Sequence, residues 1–319
     1  MNPTVYQFIS LDLPPLLAAL FAAIACSVLG SYLVLRRQSL MGDAISHSVL
    51  PGIVVAFLVT GSRGTVGIFI GAAIAGVASA FLIEVIRRLG HVDESASMGV
   101  VFSTFFALGI VAMEQAAARN VDLDADCLLH GQLETIFWYP PNDWGALLSW
   151  STLASVPGEV YTSAVTALLV IIFVVLLWKE LMITSFDAAL ASSLGFRSEV
   201  IHQVLMVLLA CAVVASFKTV GSILVIALLV CPPATARLCT DRLSTHIILS
   251  VVFSCLACIV GYLVAAFGPL WLGYDQSVNT AGMIAVISGV LLAIAILVAP
   301  RYGIVSRVLA QGVLQRAQR

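Results

Sequence analysis

DLPPLLAALFAAIACSVLGSYLVLRR, residues 12–37, decides the fold class. Apart from Asp12 at its edge, the run to Leu35 holds no charge, and Arg36 and Arg37 close it. About 20 mostly apolar residues in a helix cross a bilayer core. A helix half-buried in a soluble protein would instead show one polar face. The eleven residues before this run contain no Lys or Arg. A cleaved signal peptide needs a basic start and a shorter apolar stretch, so this run is expected to stay as a membrane helix.

Eight more stretches repeat the pattern, near 40–60, 64–86, 96–116, 160–178, 199–217, 220–239, 243–268 and 279–299. The expected fold is an all-α polytopic membrane protein of about nine transmembrane helices, one domain over 1–319. Bulk composition agrees: 61% hydrophobic, 10% charged, mean hydropathy +1.08. No soluble core of this length hides that much apolar surface. A net charge of −2 gives no reason to expect nucleic acid as a partner. Seven cysteines, an odd number and mostly inside apolar runs, do not make a disulfide framework.

Basic residues orient the chain. Twelve of the fifteen Lys and Arg follow the first, third, fifth, seventh and ninth runs: Arg36, Arg37, Arg87, Arg88, Lys179, Arg197, Arg237, Arg242, Arg301, Arg307, Arg316 and Arg319. Arg63, Arg119 and Lys218 fall in the other loops. Positive charge marks the cytoplasmic side, which puts the N-terminus outside and the C-terminus in the cytoplasm. The longest outer loop, about 117–159, carries Asp122, Asp124, Asp126, Glu134, Asp143 and Glu159. It also carries Trp138, Tyr139, Trp144 and Trp150, residue types that favour the headgroup level.

The chemistry concentrates in RRQSLMGDAISHSVLPG, residues 36–52. Asp43 and His47 stand four apart and share one helix face, with Ser46 beside them. An ionisable group at mid-membrane costs roughly 2.5–3.5 kcal/mol, so two on one face point to an aqueous path or a bound ion. Pro51 has no N–H, which frees the carbonyl of His47 four residues back. Carboxylate plus imidazole suits manganese, iron or zinc better than copper(I) or magnesium. A buried Asp–His hydrogen bond that only orients helices is the alternative. The span's start, just after Arg36 and Arg37, places the pair in its cytoplasmic half.

Other positions are weaker. Pro232 and Pro233, in TVGSILVIALLVCPPATARL (219–238), free two carbonyls and mark either a gate or a plain kink. Glu114 could draw cations to an outer mouth or simply face water. Cys255-x-x-Cys258 and Gly67-x-x-x-Gly71 read as packing devices. His91, His130, His202 and His246 receive no ligand role. In the cytoplasmic loop 179–198, Ser185 or Asp187 can cap a short helix that Gly195 ends. Phe186, Ala189, Leu190 and Leu194 follow helical spacing there. Such an amphipathic element needs a partner. Neither Lys179 nor Lys218 follows a glycine, so the chain has no phosphate-binding loop of its own.

MGDAISHSVLPG (41–52), DLDADCLLHGQLE (122–134), KELMITSFDAALASSLG (179–195) and VGSILVIALLVCPPATA (220–236), in that order, resemble the permease subunits of ABC importers for manganese, zinc and iron. The likeness covers nearly the whole chain and leans towards the manganese/iron branch. It implies a transmembrane permease in the bacterial cytoplasmic (inner) membrane. The implied partners are a second permease, identical or paralogous, a cytoplasmic ATP-binding subunit and an extracytoplasmic metal-binding protein. It places Asp43 and His47 on the metal pathway. It places the coupling helix at 186–195, with Phe186, Asp187, Leu190, Leu194 and Gly195 meeting the ATPase. Mn2+, Fe2+ or Zn2+ would be cargo, with no permanent cofactor and no enzyme activity in this chain. A gradient-driven metal/proton transporter and an importer of organic metal chelates are the competing functions.

Overall fold

The computed structural model describes residues 6–61, 65–117, 131, 133–139, 152, 155–271, 273, 278–299 and 302–304. Arg63, Arg119, Asp122, Asp124, Asp126, Cys127, His130, Asp143, Trp144, Trp150, Arg301, Arg307, Arg316 and Arg319 lie outside the described residues. Among the described residues the structure is helical and contains no strand. A π-helical turn, Phe8–Asp12, leads into α1 (Leu13–Leu35). Then come α2 (Met41–Ser48), α3 (Leu50–Thr60), α4 (Thr65–Gly90), α5 (Glu94–Ala117) and α6 (Gly158–Leu176). The remainder are α7 (Trp178–Phe186), α8 (Ala188–Ser193), α9 (Ser198–Cys239), α10 (Leu243–Trp271) and α11 (Thr280–Val298).

Eight helical stretches among the described residues are long and apolar enough to cross a membrane, α2 and α3 together counting as one. The difference from the nine expected runs lies in α9, which spans 42 residues with Gly221 at non-helical φ 79, ψ 164. Near the start of α9, His202 meets Arg36, just past the end of α1. Lys218 meets Glu159 at the opposite end of the bundle, where α6 begins. Leu229 is back at α1, its carbonyl against Gly30. A straight helix would carry Leu229 about 40 Å from His202. Two antiparallel arms joined at Gly221 place it within a few turns instead. Only glycine accepts that backbone conformation readily.

Arg36, Arg87, Arg88, Glu199 and the start of α10 gather at one end, while Glu159 and Lys218 pair at the other.

α1 forms the centre. In a membrane, helices associate through close packing and polar contacts rather than water exclusion. α1 is built for close packing: Ala18, Ala19, Ala22, Ala23 and Ala25 are buried. At Gly30 an added Cβ would run into the Leu229 carbonyl oxygen. α10 runs antiparallel to α1 and binds it through a ladder. Ser250 Oγ donates to the Ser27 carbonyl (3.1 Å), Ser254 Oγ to Ala23 (3.2 Å) and Cys258 Sγ to Ala19 (3.8 Å). Tyr262 closes it by donating to Asp12 Oδ1 at 2.8 Å. Cys258 therefore serves as a packed, buried thiol, in keeping with the packing role expected of it.

Part of the outer-loop segment tucks in. Leu133 and Ile136 are buried, and Glu134 accepts from the Thr280 backbone N–H at the start of α11 (2.8 Å). Trp138 donates from its backbone to Ser10 and from Nε1 to Ser155, whereas Tyr139 is exposed.

Candidate metal site and docking helix

The site begins with the break that Pro51 makes. α2 ends at Ser48 and α3 starts at Leu50, with Pro51 in its first turn, where a missing N–H costs nothing. Asp43 and His47 stand together on α2: Asp43 Oδ1 lies 3.3 Å from His47 Nε2. Their side chains are 43% and 25% exposed, so the pair lies on the flank of this chain rather than within its core. Phe102 and Phe106 of α5 support the imidazole, with ring centroids at 5.1 and 5.8 Å; the Phe106 contact is edge-on. The sequence reading missed these two rings. Their i, i+4 spacing was the available signal.

Height follows from α5. Phe102 and Phe106 straddle the midpoint of this 24-residue helix. His47 thus stands about halfway between the ends of the bundle, deeper than a position near the start of its span suggests. Among the described residues no third His, Cys, Asp or Glu joins the pair.

Other candidates separate from it. Ser46 is buried and donates back to the Gly42 carbonyl (2.8 Å), away from the pair. Glu114 is exposed on α5, two turns beyond Phe106, about 12 Å further along the helix. Pro232 and Pro233 are buried. The carbonyl that Pro233 frees, on Leu229, is covered by Gly30, and His246 Nε2 bonds the Pro233 carbonyl at 3.0 Å. The double proline shapes the packed core one layer behind Asp43, where the Leu229 side chain abuts Gly42. Gly71 meets Gly52 backbone to backbone, while Gly67 faces only Thr60.

The segment after α6 holds two helices, not one. α7 runs through Phe186 and stops at Asp187, whose φ −148, ψ 97 is extended. Asp187 caps α8, its Oδ1 accepting from the Ala189 and Leu190 N–H groups at 3.0 and 2.9 Å. Ser185, the other possible cap, accepts instead from Arg36. Phe186 therefore belongs to the helix before the cap. Gly195, at φ 85, lets the chain leave α8. Phe186, Leu190 and Leu194 are 59%, 51% and 58% exposed. This makes an apolar stripe at the end of the bundle that carries the arginines.

Several polar residues, Thr184 buried and the others half-buried, meet behind α7. Arg36 donates to Thr184 Oγ1 and His202 Nδ1, both at 3.0 Å, and to Ser185 Oγ at 3.2 Å. Burial pushes its guanidinium below the ordinary value, so these acceptors offset the lost hydration.

Comparison with known proteins identifies this architecture. The profile of the ABC 3 transport family matches residues 8–137 and 148–299. The manganese transport system membrane protein MntD of Bacillus subtilis (strain 168) is 37% identical over 284 residues, 89% of this chain and 90% of that protein. The zinc transport system membrane protein TroD of Treponema pallidum (strain Nichols) is 36% identical over 300 residues, 94% and 77% of the two chains. The solved structure titled PsaBC from Streptococcus pneumoniae in complex with Fab superposes with a TM-score of 0.71 at 28% identity, covering 93% of this chain and 96% of that one. The chain belongs to the ABC 3 transport family and is a multi-pass membrane permease, not an enzyme.

Proposed function

We propose that this permease moves a divalent transition metal into the bacterial cytoplasm by ATP-driven alternating access, with manganese the first candidate and iron or zinc also served by the same ligand types. The observation that carries this reading is the Asp43–His47 pair, 3.3 Å apart at mid-height on a partly open flank. Lipid is a poor neighbour for a carboxylate there. A second permease, identical or paralogous, covers that flank and supplies the rest of the ligand set, so that each chain carries half a site. Asp43 offsets the ion's charge, and His47 binds through a neutral nitrogen. The relatives named for manganese and zinc transport support this cargo class.

The basic residues put the arginine-bearing end in the cytoplasm. The α8 stripe then faces a cytoplasmic ATP-binding subunit, and an extracytoplasmic metal-binding protein delivers the ion at the Glu159 end. Membership of an ATP-driven family sets aside the gradient-driven alternative.

The test reconstitutes the permease with its ATPase in liposomes and follows radioactive manganese. Asp43→Ala and His47→Ala each abolish accumulation while the complex still elutes intact from a sizing column. Normal accumulation in either variant would sink the assignment.

A further inference from the structure

Arg36 stands where five elements converge. It is the first residue after α1. Its Nη2 and Nε donate to Thr184 and Ser185 in the last turn of α7, three and two residues before the Asp187 cap of α8. Its Nη1 donates to His202 Nδ1 on α9. A guanidinium has no acceptor to offer. His202 must therefore accept at Nδ1 and keep its proton on Nε2, which lies 3.8 Å from Glu84 Oε2 on α4. Glu84, buried, accepts from Arg87 Nη2 (2.8 Å) and from Arg88 Nε. Arg88 continues to Glu199 of α9 (2.9 Å), and Arg87 to Glu94 at the start of α5 (3.6 Å).

Both routes out of this cluster lead to the candidate metal site through short pieces of backbone. Arg36 precedes Asp43 by seven residues. Glu94 precedes Phe102, the ring under His47, by eight, about 12 Å of continuous helix. Beyond the cluster, α4 and α9 border an apolar groove of about 600 Å³, open on one side and lined by Ala73, Val77, Phe81, Met206 and Val207, with Glu84 and His202 at its edge. The polar cluster thus fastens α4 to α9 at the edge of that groove.

We infer that Arg36 is a positioning residue that ties the α7–α8 segment to the Asp43–His47 helix and, through His202 and Glu84, to α4 and α5, so that displacement of α8 is passed to the metal site rather than absorbed at the Asp187 break. Fork geometry matters as well as charge, because three acceptors on two helices are held by one planar group. This inference rests on the proposed docking of the ATPase at α8.

The experiment uses the complete transporter in liposomes and reads two rates, ATP hydrolysis and manganese uptake, as ions imported per ATP consumed. Arg36→Lys keeps the charge and loses the fork. Thr184→Val with Ser185→Ala removes only the α7 acceptors and leaves Arg36 in place should the first variant fold poorly. Each lowers the ratio by about fivefold or more, a scale usual for residues along a coupling route, with hydrolysis within about twofold of the parent. Combining them adds little, because both cut the same link. Thr184→Ser, which keeps a hydroxyl acceptor, restores the ratio. An unchanged ratio in both variants overturns the inference, as does a parallel fall of hydrolysis and uptake, which a merely structural role would give. Leu190→Glu separates the underlying reading: if it leaves ATPase assembly and stimulation intact, docking at α8 itself fails.

Discussion

α10 and α2 both carry side-chain hydrogen-bond donors through the bundle, and they direct them oppositely. On α10, Ser250, Ser254, Cys258 and Tyr262 reach across to α1. On α2, Ser46 and Ser48 bond the carbonyls of Gly42 and Ala44, four residues back on their own helix. Inter-helix bonds lock a crossing; back-bonds of this kind satisfy a helix from within and tend to bend it. The contrast continues in the backbone. α1 and the second arm of α9 touch main chain to main chain at Gly30, whereas α2 ends at a break before Pro51 and supports its imidazole on two rings. One half of the molecule is a fixed frame. The other is a short jointed helix placed where an ion needs to be taken up and released.

The largest effect should come from breaking the frame. Gly30→Ala drives a methyl group onto the Leu229 carbonyl, which is main chain and cannot swing aside as a side chain does. Destabilisation at or above the top of the usual ~1–3 kcal/mol overpacking range is expected, seen as loss of folded permease in a detergent melt. Gly42→Ala is the control. The atom it would meet, Leu229 Cδ1 at 2.6 Å, ends a side chain that can swing aside, so the cost stays under ~1.5 kcal/mol. Equal losses at both positions would erase the distinction between frame and joint.

Next comes the joint. Pro51→Ala returns the N–H that can bond the His47 carbonyl and favours a continuous helix from Met41 to Thr60. Thermal stability should hold or rise while manganese uptake drops severalfold. A variant that transports normally with a higher melting point shows that the break is structural only.

A smaller change sharpens the same point. Phe106→Leu removes the edge-on ring from His47 but keeps apolar bulk. Aromatic pairs of this kind are worth ~0.5–1.5 kcal/mol, so the manganese concentration for half-maximal uptake should rise about threefold with the maximal rate little altered. Unchanged half-saturation would mean that His47 is held without the ring.

The frame was readable in outline and the joints in detail. Apolar runs and the arginines at their ends located the helices within a few residues, because length and charge are local properties of a membrane span. Pro51 marked its break for the same reason, and Asp187 was one of two caps offered. What stayed hidden is what distance in sequence conceals. The Gly221 reversal was legible as the gap between the runs 199–217 and 220–239, but the single glycine whose backbone angle makes it was not. The Arg36, Glu84, Thr184 and His202 cluster is tied by contacts between residues 118 to 166 positions apart, and each looked like an ordinary polar residue by a loop. The α10 ladder had visible donors spaced by four, but its acceptors are carbonyls, which every residue of α1 possesses. Asp43 and His47 were legible because the membrane makes any ionisable pair conspicuous; Phe102 and Phe106 were not, since aromatic side chains in a span are commonplace.

The ladder also predicts the smallest effect, and a sharp one in kind. Ser254→Ala deletes one donor to the Ala23 carbonyl and leaves that carbonyl in its own helical bond. Inter-helix hydrogen bonds in membranes average about 0.6 kcal/mol, since the separated helices find other partners. A small fall in melting temperature with full manganese uptake is therefore expected, and adding Ser250→Ala should roughly double the fall, because the two donors reach different carbonyls. A loss of uptake out of proportion to the loss of stability would mean that α10 slides on α1 during transport. The frame would then itself be a moving part, and the division between the two halves would have to be redrawn around α1 alone.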